Sequence, residues 1–240
     1  MNRRRTGNEQ RRRRQVGSSQ ARKRGASFNL HVVCEGETEQ RYIKDLVRTN
    51  PALNENVVVK PTKAAGQDLR SLVEKAIAIE KQMLQSDPQA IWIVCDLDEN
   101  TEAGRMAAVN WLNKASSRCR RGIAFTNPCM EEWFLLHLEA HPRRHNTSGG
   151  YEKDLQKKLP SYRKGAKVSL PIELVKWEYT IEAARRAKQN LKSMGAGSLA
   201  GAELFEIVWE SQNQSSFPEL IDMLVEQVNR RTGKQTLSKD

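Results

Sequence analysis

Carboxylates gather at three places in this chain, and each follows a short apolar run. Glu35-Gly36-Glu37-Thr38-Glu39 follows Leu30-His31-Val32-Val33-Cys34. Asp96-Leu97-Asp98-Glu99 follows Ile91-Trp92-Ile93-Val94-Cys95. Glu131-Glu132 follows Ile123-Ala124-Phe125 and the turn Thr126-Asn127-Pro128. Carboxylates brought close together repel unless a cation or protons neutralise them. An all-oxygen donor set suits magnesium or manganese better than zinc. In extended backbone, Asp96 and Asp98 project to the same side. Gly36 permits a tight turn and the close approach of a phosphate. If a helix begins at once, Glu35 and Glu39 lie one turn apart. A single acid at such a place only solvates a loop or caps a helix. Their combination at two strand ends, Glu35 to Glu39 in EGETE and Asp96 with Asp98 in DLDE, predicts a metal site. His137, farther along the segment, is a candidate acid, base or phosphate donor; a hydrogen-bonded helix histidine is the plainer reading. Trp133 and Phe134 read as core rather than as stacking platforms for bases.

Acids spread over a hundred residues converge only if the fold brings them together. The apolar runs at 30–34, 57–59, 91–95 and 123–125 read as buried strands. Between and after them lie helical patterns: one through Tyr42, Ile43, Leu46 and Val47, a broad stripe over 67–85, one through Met106, Val109, Trp111 and Leu112, and one over 130–138. This alternation predicts a parallel sheet with helices on both faces, where ligands collect at the carboxyl ends of the strands. The turn-rich stretch 142–150 reads as a boundary loop. Helices are expected beyond it, over about 151–158, 173–192, 200–211 and 217–230, with Asn213 to Ser216 as a break. The expected organisation is a disordered tail (1–26), an α/β domain (27–141) and a helical C-terminal region (142–240).

Charge is uneven. Of a formal net charge of +11, residues 1–26 carry +9: Arg3, Arg4, Arg5, Arg11, Arg12, Arg13, Arg14, Arg22, Lys23 and Arg24 against Glu9. Such an arm fits a polyanion, and nucleic acid before a membrane surface. The 240 residues are 38% hydrophobic, enough for a core, yet no apolar block nears the roughly 20 residues that span a bilayer. No apolar stretch follows the N-terminal charges, so a secretory signal is not expected. The four cysteines show neither CxxC pairing nor zinc-finger spacing. The expectation is a soluble cytoplasmic protein without a membrane partner. No GxxxxGK[ST] motif is present, so ATP hydrolysis would belong to a partner.

The EGETE segment after a first strand and the Asp-x-Asp after a third resemble the TOPRIM domain of topoisomerases, primases and OLD-family nucleases. Together with Asn127-Pro128-Cys129-Met130-Glu131-Glu132-Trp133-Phe134-Leu135-Leu136-His137 they resemble, more narrowly, the RloB-like family of prokaryotic anti-phage and restriction loci, often found beside an AAA-type ATPase. The resemblance covers about 28–139, and more weakly 213–224. It implies a TOPRIM-like α/β fold, a four-stranded parallel sheet flanked by helices with a C-terminal helical extension. Glu35 matches the family's glutamate, Asp96 and Asp98 its DxD pair, Glu131 the acid of its NPCxExW motif and His137 its histidine. The implied activity is Mg²⁺- or Mn²⁺-dependent hydrolysis of phosphodiester bonds in DNA or RNA, tRNA included, as a defence effector. TOPRIM nucleases often add a lysine late in the domain. Lys153, Lys157 and Lys164 fall there, and the sequence does not choose among them. Two other classes compete: a non-catalytic nucleic-acid-binding subunit working with an AAA-type ATPase, and a primase-type nucleotidyl transferase, which the lack of zinc-binding cysteines disfavours.

Overall fold

The computed structural model describes residues 28–63, 68–83, 89–96, 101–114, 119–165, 168–211 and 214–232. The arginine-rich stretch 1–26, with all ten of its predicted nucleic-acid contacts, and Asp98 lie outside the described residues. In chain order the elements are β1 (Phe28–Cys34), α1 (Glu37–Thr49), α2 (Pro51–Asn56), β2 (Val57–Lys63), α3 (Leu69–Gln82), β3 (Gln89–Asp96), α4 (Glu102–Asn113), β4 (Arg120–Asn127), α5 (Met130–Leu138), α6 (Ser148–Lys158), a 3₁₀ turn (Ile172–Leu174), α7 (Trp177–Ser193), α8 (Gly201–Glu210), β5 (Gln214–Ser215) and α9 (Phe217–Thr232).

The sheet order is β2-β1-β3-β4-β5. The first four strands are parallel, and β5 is antiparallel to β4. The expected four-stranded parallel sheet is therefore corrected to a five-stranded mixed one. The added strand comes from the tetrapeptide that reads as a break between helices. It is held by Ser216, whose hydroxyl donates to Ile123 O (2.8 Å) and accepts from Phe125 N–H (2.9 Å), while its own N–H donates to Phe125 O (2.9 Å). Two residues are too few to show a strand period.

Alternation along the strands divides the interior into two cores. Leu30, Val32, Cys34, Trp92, Val94 and Ala124 face a core shared with α1, α5, α6, α7 and α9. Val33, Ile91, Ile93, Cys95, Ile123 and Phe125 face the other, closed by α3, α4 and α8. Helices from beyond the 142–150 loop thus supply part of both cores. Gly122 stands opposite Trp92 in the ladder, and a Cβ there would lie 2.5 Å from the indole ring. The bare glycine lets a large ring lie across its neighbour strand.

Long-range polar contacts fix the C-terminal helices to the α/β layers. Asn50, at the end of α1, accepts from Trp177 N–H (3.0 Å) and donates to Val175 O (3.0 Å). Asp45 accepts from Leu170 N–H at 2.8 Å. Arg121 on β4 grips Glu80 on α3 with two bonds of 2.6 and 2.7 Å, both side chains nearly buried. Among the described residues, no helix is long and apolar enough to cross a membrane.

Candidate active site

Parallel pairing of β1 with β3 puts their carboxyl ends side by side. Glu35 extends the ladder by one residue, donating its N–H to Val94 O at 3.1 Å. Its side chain then adds a further rung, because its carboxylate accepts the N–H of Asp96 at 3.2 Å. The two acids predicted from strands one and three therefore meet at one edge of the sheet.

Glu39 lies on the first turn of α1, nearly buried. Its carboxylate folds back and accepts Gly36 N–H at 2.9 Å, closing the start of the helix. A Cβ on Gly36 would sit 2.7 Å from that oxygen. Gly36 has φ −127°, so close approach rather than unusual backbone is what selects glycine here. Burial raises the Glu39 pKa, and the charge of Glu131 adds to it; hydrogen bonds from its own and the Gly36 backbone, and Lys164, oppose.

Glu131 opens α5 and is fully buried. Tyr162 donates its hydroxyl to Glu131 Oε1 at 2.8 Å, and Lys164 Nζ stands 3.5 Å from Oε2. Burial works against the Lys164 ammonium, but the negative charge of Glu131, with that of Asp96, outweighs it and raises the pKa. Around these acids the Cys95 thiol is pushed up by burial and by Glu35, Asp96 and Glu39, and the Cys129 thiol by burial, Glu131 and Asp96. The same acids thus act on groups from β3 and from the β4–α5 turn, and one cation, Lys164, reaches in among them. Of the three lysines open at the sequence level, Lys157 pairs with Asp154 at 2.8 Å, while Lys164, by its contact with Glu131, is the one found at the cluster.

Tyr162 escaped the sequence reading. Its only signal is an aromatic residue beside basic ones in Ser161-Tyr162-Arg163-Lys164. Periodicity says nothing about such a loop, and the contact to Glu131 spans 31 residues.

His137 belongs elsewhere. Six residues along α5 from Glu131, it is about 9 Å away along the axis. Its Nδ1 bonds Trp133 O at 3.0 Å, and the rings of Tyr42, Trp133 and Phe134 surround it. Burial lowers its pKa to about 4, and Arg186 pushes the same way. The expectation of an acid or base at His137 is corrected: it is a neutral core residue. Other parts of the same motif are also architectural. Asn127 donates its amide to Val208 O, Trp209 O and Ser211 O (3.1, 3.1 and 3.0 Å), capping the end of α8. Trp133 stacks on Phe217 with centroids 4.9 Å apart. Glu132, 2% exposed, faces away from the cluster, and burial pushes its pKa up to about 8.

Among the described residues, no three His, Cys, Asp or Glu side chains are arranged to hold a metal ion. The donor chemistry nevertheless fits a hard cation in part: Glu35 and Asp96 meet at adjacent strand ends, and Glu131 Oε2 is buried without a hydrogen bond. Asp98, the third predicted ligand, lies outside the described residues.

No characterised protein and no solved structure matches this chain. A family model described as RloB-like protein matches residues 30–224, from within β1 to within α9, and so includes every acid of the cluster together with Tyr162 and Lys164. By that match, over most of its length, the chain belongs to the RloB-like family.

Proposed function

We propose that this protein is a metal-dependent nuclease whose active site is the carboxylate cluster at the carboxyl edge of the sheet. One observation carries the reading: the Glu35 carboxylate, at the end of one strand, accepts the backbone N–H of Asp96 at the end of the next (3.2 Å), with Lys164 held beside Glu131 near the same strand ends. Acids converging on a small volume beside one cation are costly in an architectural role and useful for phosphoryl chemistry. Glu35 and Asp96, with Asp98, would hold Mg²⁺ or Mn²⁺. A cation there supplies a polarised phosphoryl oxygen and a water of lowered pKa. Lys164, kept charged by Glu131, neutralises a scissile phosphate that would otherwise be repelled by the cluster. Tyr162 fixes the other oxygen of Glu131 and so sets where Lys164 stands. The substrate is nucleic acid, DNA or RNA, and the site of action is the prokaryotic cytoplasm in a defence role.

A non-catalytic subunit serving a partner ATPase is the second reading. It is favoured by the hydrogen bonds that Glu39 and Glu131 Oε1 already accept within the protein, from Gly36 N–H and the Tyr162 hydroxyl. Incubation of labelled tRNA, single-stranded DNA and duplex DNA with Mg²⁺ or Mn²⁺ separates the two. Cleavage by the wild type, its loss in Asp96→Ala, and a drop of about 10²-fold or more in Lys164→Ala are the expected results. Cleavage undiminished by Asp96→Ala would refute the metal-site reading.

A further inference from the structure

Glu132 neighbours Glu131 in sequence but occupies a different place. Its side chain is 2% exposed, and its Oε2 is buried with no hydrogen-bond partner. A buried carboxyl oxygen left unpaired is costly, and folded proteins keep few of them. Glu132 is one of the residues lining a cavity of about 140 Å³, far above the roughly 10–15 Å³ that one water needs. Gln214 and Asn190 place amides on the wall, Met194 and Pro142 give apolar surface, and Arg144 and His141 stand at the exposed rim.

The lining selects a class of ligand. A carboxyl group keeps an acceptor oxygen whether neutral or ionised, and that acceptor suits an N–H donor. Two amides offer both donors and acceptors to a flat polar edge. Proline and methionine suit a ring face. A basic rim disfavours an ammonium ligand and favours a group linked to phosphate. We propose that this cavity is a subsite for an amino-bearing nucleobase such as adenine, with Glu132 accepting from the exocyclic amino group. The choice of a nucleobase among amino-bearing heterocycles rests on the nuclease reading. Glu131 and Glu132 are consecutive on α5 and project about 100° apart, so the cavity and the carboxylate cluster lie on different faces of one helix.

Titration of the full chain, without metal, with adenosine and with purine riboside tests this directly. The two differ only in the amino group. Adenosine should bind at least about tenfold more tightly, the usual consequence of leaving a buried acceptor unpaired. Glu132→Leu should reduce adenosine binding to the level of purine riboside and raise the melting temperature, since it removes an unsatisfied buried group. Glu132→Gln, which keeps an acceptor oxygen, should retain part of the preference. Equal binding of the two nucleosides, no binding of either, or adenosine binding unchanged in Glu132→Leu overturns the proposal. Should Glu132→Leu fail to fold, the wild-type comparison and Glu132→Gln still decide. The readout is nucleoside binding, so it is independent of cleavage: discrimination without cleavage sinks the nuclease reading alone, and cleavage without discrimination sinks the pocket alone.

Discussion

Two ionisable residues of α5 have opposite consequences for stability. His137 is buried neutral, with its pKa lowered from 6.5 to about 4. Between those values the unfolded chain binds a proton that the folded chain does not, so stability falls as pH drops through that window. From pH 6.5 to 5 this loss amounts to about 2 kcal/mol, at 1.36 kcal/mol for each pKa unit. Glu132, raised from 4.5 to about 8, acts in the other sense: its contribution is full below 4.5 and declines as pH rises toward 8. Urea unfolding of wild type and His137→Phe at pH 6.5 and 5 isolates the histidine. The wild type should lose about 2 kcal/mol relative to the variant, and parallel curves would mean that His137 is not a buried neutral base. The sequence made Glu35 and Asp96 legible because strand ends in a βα unit are fixed by local pattern. Lys164 could be named but not chosen, and Tyr162 not found, because both meet Glu131 through a loop whose path is set by tertiary packing. His137 keeps two readings in the sequence for a related reason: residue type marks it as chemical, while the ring neighbours Tyr42 and Trp133 that decide for the hydrogen-bonded helix histidine become visible only in three dimensions.

At the scale of elements, apolar patterning located the four parallel strands, β1, β3 and β4 through burial on both faces and the edge strand β2, whose Val58 is exposed, through its β-branched run alone; the short helix α2 showed none. It could not reveal β5, whose anchorage is the Ser216 hydroxyl rather than a pattern. Nor could it reveal the Glu80–Arg121 clamp between α3 and β4. Arg121 also donates to Trp111 O at 3.0 Å and to Lys114 O, so it ties three elements together. Glu80→Gln should leave a nearly buried guanidinium without its counter-charge and cost about 3–5 kcal/mol. The Glu80→Leu/Arg121→Met pair removes both charges and should recover much of that loss. Thermal or urea denaturation of the two variants checks the sign. A single mutant as stable as wild type would show that the clamp contributes nothing net.

Across the whole molecule, many cations of the described body are engaged in ion pairs. Arg105 pairs with Glu102 and Glu206, Arg185 and Arg186 with Glu182, Lys188 with Asp222, and Arg230 with Glu226. The excess of charge lies in residues 1–26, at +9 of +11. If nucleic acid is the substrate, this arm should provide most of the long-range attraction, while the carboxylate cluster repels phosphate until a cation fills it. Each phosphate contact contributes about 0.7–0.9 to the slope of log affinity against log salt. With half of the ten basic side chains engaged, deletion of residues 1–26 should flatten that slope by about 4. The fold should not change, because residues 1–26 hold almost no large apolar groups to bury. Binding isotherms of full-length and truncated protein at several salt concentrations measure the difference. Equal slopes would move the phosphate contacts to the body, where Arg143, Arg144, Lys153 and Lys164 are the cations to test by substitution. Lys157, already paired with Asp154, would be the weakest of that group.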